Sequence, residues 1–190
     1  MKCSQFLKNR VFRILIAEML TLNDFFNNDA LAYKSQMLSR TCFLRHKSSG
    51  VVVCAFSFSA ASIKTSDLPG SRRKKVKEHI PREKSLKSYP AILIGRLGVA
   101  KEFSGQGTGS QLINIIKGYC LLHFPDFVRF LLVDAYNEHA VIGFYERNDF
   151  IAVFSSEEQE KETYRQSLSE SLRTRYMFYD LIKWRNMMEK

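Results

Sequence analysis

The stretch from Ala91 to Ala135 constrains the fold most. It runs AILIGRLGV, rich in β-formers, then a glycine-rich turn, then QLINIIKGYCLLHF, then FVRFLLVDA, a second run suited to a buried strand. In the middle segment Leu112, Ile115, Ile116, Tyr119 and Cys120 recur at helical spacing from a start near Gly109, and Pro125 closes the helix. A strand, a helix and a strand in succession require a sheet with helices laid against it.

The flanking sequence extends that architecture. Leu22 to Leu38 has helical character, with Asn23 or Asp24 as its expected N-cap and Phe25, Phe26, Ala30, Leu31, Tyr33 and Leu38 as its apolar residues. TCFLRH, a turn over Lys47 to Gly50, and VVVCAFSFS predict a hairpin. Downstream, EHAVIGFYERN predicts a second amphipathic helix and FIAVF a strand after it. Ser155 to Ser171 reads as a polar segment, and RTRYMFYDLIKW predicts a last strand with Met177, Tyr179 and Leu181 on one face. The basic, partly apolar start MKCSQFLKNRVFRILIAEML is expected to be the first structural element. Together these predict a single α/β (α+β) domain over 1–190, a mixed sheet with helices on both faces.

Charge is local. The formal net charge is +10, and Lys64 to Lys87 carries nine cations against three anions, +6 of that surplus. Arg72, Arg73, Lys74, Lys75 and Lys77 form its centre, and Pro69, Gly70, Pro81 and Pro90 punctuate it. The segment therefore reads as a basic excursion over about 64–88 with a helical turn or two in SRRKKVKEHI. A solvated face and a phosphate-binding surface are both open readings of such a run. The longest apolar runs, such as Val51 to Phe56, fall far short of the ~20 residues of a membrane span. Arg10, Arg13 and Glu18 interrupt the N-terminal run, and a cytoplasmic location is expected. The four cysteines and four histidines make no metal-ligand spacing, so no metal is expected and the thiols read as small buried hydrophobes.

Two segments carry chemistry. In SGQGTGS, that is Ser104, Gly105, Gln106, Gly107, Thr108, Gly109 and Ser110, glycines at alternate positions let consecutive N–H groups turn inward at a helix N-terminus. Such a nest suits a pyrophosphate, although a plain glycine-rich turn is the other reading. No Gly-Lys-Ser/Thr follows, which excludes a Walker loop, and no acidic ribose reader stands where a dinucleotide fold needs one. Downstream, Asn137 follows a strand end and Tyr145 lies eight residues on, about two helical turns later on roughly the same face.

With both segments in view, the sequence resembles the GNAT superfamily of N-acetyltransferases. The resemblance rests on the glycine loop, Q/RxxGxG in the family, and on the later NxxA…FYE..GF block, here Asn137, Ala140, Phe144, Tyr145, Glu146 and Phe150. A helix and a strand separate the two, as in the family. LPG before the basic stretch, YPAILIGRLGV, FLLVDA, FYERNDF and the NDFFNNDALAY helix resemble the branch that includes toxins of toxin-antitoxin pairs, which acetylate the α-amino group of aminoacyl-tRNA. The likeness covers most of Leu22 to Phe154 and implies a GNAT fold with six or seven strands. Two positions depart from it. Ser104 stands where the family has Gln or Arg, and Asp149 stands where a glycine precedes Phe150, at a helix end that favours a left-handed residue.

The resemblance implies roles. The strand Leu97, Gly98 and Val99 should splay from its neighbour, pair with the pantetheine arm of acetyl-CoA and polarise the thioester carbonyl through an N–H. Ser104 to Ser110, with the three glycines, should hold the pyrophosphate, and Asn137 and Phe144 should contact the acyl-CoA arm. Tyr145 is the expected general acid, since a phenol of pKa about 10 can protonate a thiolate whose conjugate acid lies near about 8.5. No carboxylate presents itself as a general base. An α-amino group, with pKa about 7.7 to 8.0, needs less help than a lysine at about 10.4, which favours aminoacyl-tRNA as acceptor. Arg72, Arg73, Lys74, Lys75 and Lys77 are the candidate tRNA contacts. A small amine or a protein N-terminus is the alternative acceptor, and a non-catalytic CoA-binding module the reading from another class. Candidate partners are tRNA, a small antitoxin and a second copy of the chain, with no membrane.

Overall fold

A computed structural model describes residues 20–78, 80–81 and 86–189. The expected first element, up to Met19, and Arg82, Glu83 and Lys84 of the basic excursion lie outside the described residues. Six strands form one mixed sheet: β1 Arg40–Arg45, β2 Val52–Lys64, β3 Ser88–Val99, β4 Phe130–Tyr136, β5 Ile151–Ala152 and β6 Thr174–Asp180, in the order β1-β2-β3-β4-β6-β5. The chain divides into two compact units, residues 1–60 with 94–116, and 61–93 with 117–190.

In the first unit, Leu20–Asp24 (α1), one π turn over Phe25–Asp29, and Ala30–Ser35 (α2) follow without a break. The helix is already under way at Leu20, so Asn23 and Asp24 are interior and neither is its N-cap; Asp24 instead accepts a hydrogen bond from the Asn28 amide. Phe25, Phe26 and Ala30 turn inward onto Phe43 and Ala55 of the β1–β2 hairpin, and the Phe26 and Phe43 rings meet edge to face. That hairpin pairs Arg40 with Phe58 through Arg45 with Val52, closed by a turn in which Gly50 has φ +71°.

In the second unit, Ile63, Leu68, Val76, Tyr89, Ala91, Phe130, Leu132, Phe154 and Phe178 share one core. Val76 comes from α3, Gly70–Lys77, the helical turns expected in the basic excursion. Four consecutive β4 residues, Phe130 to Val133, are buried, which accounts for a continuous apolar run with no alternation. β6 pairs antiparallel with both β4 and β5.

The C-terminal third departs from expectation at three places. The FIAVF strand shrinks to Ile151–Ala152. The polar segment contains a helix, α6 Glu157–Tyr164, capped by the Ser156 hydroxyl, which accepts from the Gln159 N–H at 3.3 Å, with three acids in its first turn. The last strand ends at Asp180, and Leu181 begins the helix α7, Leu181–Met188, instead of sharing a strand face with Met177 and Tyr179. Asp180 stops the strand because its carboxylate accepts the Ile182 N–H at 3.1 Å and pairs with Arg129.

Candidate active site

The glycine loop belongs to the first unit. β3 ends at Val99 with Gly98 buried and Leu97 and Val99 half-buried, and the Ala100 N–H donates to the Val53 carbonyl at 2.8 Å. One 3-10 turn over Lys101–Phe103 leads into exposed Ser104 to Gly107, and α4, Thr108–His123, begins there. Gly105 and Gly107 have φ +74° and +78°, a conformation that side chains resist. A Cβ at either would meet nothing within 4 Å, so conformation and not crowding demands glycine there. Gly109 differs from expectation: it has no positive φ and lies inside the first turn of α4, so the alternation that makes the nest is carried by two glycines, not three.

The first helical bond of α4 is Gln111 N–H to the Gly107 carbonyl at 3.1 Å, so the N–H groups of Thr108, Gly109 and Ser110 have no partner within the helix. No acid lies in that first turn, and the Gln106 side chain is tied back to the Glu102 carbonyl. Open space over the two glycines, unpaired helix N–H groups and the positive end of a 16-residue helix fit a pyrophosphate.

Tyr145 belongs to the second unit, near the end of α5, His139–Arg147. Two hydrogen bonds and one dihedral angle define that end. The Phe150 N–H reaches back to the Tyr145 carbonyl at 3.0 Å, the Asp149 N–H to Glu146 at 2.9 Å, and Asp149 has φ +66°. This is a Schellman turn with Tyr145 and Phe150 at its two hydrophobic contact positions, and their rings meet edge to face at 5.4 Å. Asp149 is therefore the left-handed residue of the turn. Phe144 closes the other side of Tyr145 at 5.1 Å. The phenol is 9% exposed, makes no hydrogen bond among the described residues, and is pushed up to about 12 by burial.

Several expected site residues have structural work. The Asn137 side-chain amide donates to Glu157 at 2.9 Å and to the Leu172 carbonyl at 3.0 Å, tying the end of β4 to the α6 segment. Glu157, which also accepts from the Leu172 N–H and pairs with Lys161, is held down at about 2, chiefly by the Leu172 N–H, then by Asn137 and Lys161. Within the basic run, Arg72 donates to the carbonyls of Val153 and Ala152, and Arg73 to those of Thr65, Ser66 and Leu68. Of the five candidate tRNA contacts, Lys74 and Lys75 stand in solvent and Lys77 is half-buried.

Two groups escaped sequence reasoning. Asp134 is the one charged residue of β4, directly opposite Tyr176 of β6; its side chain is exposed, and partial desolvation against the sheet raises its carboxyl above the ordinary range. Lys117, 2% exposed, lies on α4 between Ile113 and Cys120, at i+4 and i−3 from them. Its signal was available: a cation set in the apolar stripe of an amphipathic helix. The thiols of Cys54 and Cys120 are raised to about 11 and about 12 by burial, so both are inert side chains of the core, as expected.

The class that this arrangement defines is the GNAT fold: a mixed six-stranded sheet, a glycine loop opening a long helix after the third strand, and a tyrosine near the end of the next helix. Among solved structures, the chain matches one described as a bacterial toxin with a TM-score of 0.67 at 15% identity, covering 92% of this chain and 86% of that one. AtaT complexed with acetyl-methionyl-tRNAfMet matches with a TM-score of 0.64 at 18% identity, over 93% of this chain and 90% of that one. AtaT carrying a tyrosine-to-phenylalanine substitution, bound to the C-terminus of the antitoxin AtaR and acetyl-CoA, matches at 0.61 and 15% identity, over 98% and 97%. No protein-family profile and no curated relative matches the chain.

Proposed function

We propose that the chain is an acetyl-CoA-dependent N-acetyltransferase of the toxin kind, a single domain that acts on the α-amino group of aminoacyl-tRNA. The observation that carries the reading is the glycine loop, where two positive-φ glycines and an acid-free first helical turn leave a row of N–H donors open. The fold is shared with AtaT, which has been solved with acetyl-CoA and with an acetylated methionyl-tRNA.

Acetyl-CoA supplies the activated acetyl group. Ser104 to Ser110 bind its phosphates through backbone N–H groups, and Leu97, Gly98 and Val99 offer the strand edge along which the pantetheine arm is aligned. Phe144 contributes apolar surface, and Asn137 holds the end of β4 in place through its bonds to Glu157 and Leu172. Tyr145 keeps its proton at Oη throughout the physiological range, because burial holds the phenol at about 12. That is the state a general acid for a leaving thiolate requires. Lys74 and Lys75 supply the solvent-facing charge for an acceptor stem, a smaller surface than the run of five suggests. No helix among the described residues is long and apolar enough to cross a membrane. A cytoplasmic location and a small antitoxin partner accompany the reading, as AtaR accompanies AtaT.

Incubating the protein with acetyl-CoA and charged tRNA tests this directly. Acetylated aminoacyl-tRNA is expected, with most activity lost in Tyr145→Phe. Unmodified tRNA together with acetylation of a small amine, insensitive to salt, would move the assignment to the alternative acceptor class.

A further inference from the structure

Lys117 is a buried cation that the proposed chemistry leaves without a role. Its ammonium donates to the Asn148 carbonyl at 3.0 Å and lies 3.8 Å from the centre of the Tyr179 ring and 5.2 Å from that of Trp184. Among the described residues it forms no ion pair; Asp149 acts on it through space, raising its pKa against the larger lowering by burial. A lysine sealed in this way costs stability that a Leu or Met would not, which calls for a reason.

The reason lies in what Asn148 is. It is the C-cap of α5, its N–H reaches the Tyr145 carbonyl at 3.0 Å, and its side-chain amide donates to the Phe144 carbonyl at 2.8 Å. A cation on the C-cap carbonyl also meets the negative end of the helix dipole. The second contact of Lys117 leads to the same residue by another route: the Tyr179 ring packs on Phe150 at 5.7 Å, and Phe150 packs on Tyr145 at 5.4 Å. Backbone and rings thus join one ammonium to the two anchor points of the Schellman turn that holds the phenol.

We propose that Lys117 is the positioning residue for Tyr145, a buried ammonium that clamps the C-terminal turn of α5 and thereby fixes where the phenol stands. The proposal rests on the reading of Tyr145 as the general acid. Lys117 touches no reacting atom and acts through Asn148 and the Tyr179–Phe150 rings.

The test is Lys117→Met, which keeps most of the unbranched apolar stem and removes donor and charge, made alone and together with Tyr145→Phe. Amide exchange at Asn148, Asp149 and Phe150 should speed by about tenfold or more. Emission of Trp184, the single tryptophan, should shift as the neighbouring charge goes. Per folded molecule, kcat should fall about tenfold or more with KM for acetyl-CoA unchanged, the signature of a misplaced group. The double variant should be no slower than Tyr145→Phe alone, because a residue acting through Tyr145 has nothing left to position. Unchanged exchange, an unchanged kcat, or losses that multiply in the double variant each overturn the proposal. Failure of the clamp leaves Tyr145→Phe slow and Lys117→Met fast. Failure of the underlying reading leaves Tyr145→Phe as fast as wild type, and takes the proposal with it. If Lys117→Met does not fold, Lys117→Gln, with a shorter neutral donor, carries the same comparison.

Discussion

Replacing Asp149 with Gly and, in parallel, with Asn separates a backbone effect from a charge effect at one position. Asp149 sits at φ +66° as the left-handed residue of the α5 turn, with its side chain exposed. Left-handed backbone costs an L-residue about 1–2 kcal/mol, less for Asp and Asn, and glycine returns part of any gain through a more mobile unfolded chain. The Gly variant should therefore exceed the Asn variant by about 0.5–1 kcal/mol. Both variants remove the carboxylate whose field supports the Lys117 cation. Because that carboxylate is exposed and forms no ion pair among the described residues, the loss should be about 0.5 kcal/mol. The Asn variant should thus fall below wild type and the Gly variant lie close to it. In a domain of this size the gap between the two corresponds to about 1–4 °C in Tm, readable by calorimetry or urea unfolding. An Asn variant as stable as the Gly variant would refute the claim that the turn carries left-handed strain.

The basic run offers a second separation: Arg72→Ala, which loses charge-assisted bonds to the Val153 and Ala152 carbonyls, should cost about 2 kcal/mol in urea unfolding. Lys74→Ala with Lys75→Ala should leave the urea midpoint in place and flatten the salt dependence of tRNA binding. Glu157 sets an acid limit. Its carboxyl is held at about 2 against an ordinary value of 4.5, so its stabilisation is full above about 4.5 and disappears as pH falls toward 2. Glu157→Gln should accordingly be less stable than wild type at pH 6 and converge with it near pH 2, measured as urea midpoints across that range.

The legible parts of the site were those written in neighbouring residues. Gly105 and Gly107 announced a turn with inward N–H groups, and Asp149 before Phe150 announced a helix end that favours a left-handed residue, because each feature is closed within about one helical turn. The α6 cap was legible too, as Ser156 with Gln159 three residues on, though the absence of an apolar period hid the helix behind it. Asp180 ended β6 early for a similarly local reason, its carboxylate taking the Ile182 N–H, yet an unbroken apolar pattern masked it.

Asn137, Arg72 and Lys117 show the opposite case. The resemblance implies Asn137 as a contact of the acyl-CoA arm and Arg72 as a candidate tRNA contact; in the fold, partners 20 residues away for the first and 81 for the second use them as ties. Lys117 reads as a cation in the apolar stripe of its helix, and its role emerges only where a carbonyl 31 residues on accepts its hydrogen bond and two rings cover it. The sequence by itself determined the order of strands and helices up to α5, the glycine loop and the place of the tyrosine, since periodicity and backbone sterics act over a few residues. Tertiary structure alone decided which polar groups are sealed inside and which remain for a ligand, because the cost of burying a charge is set by whichever distant group comes to meet it.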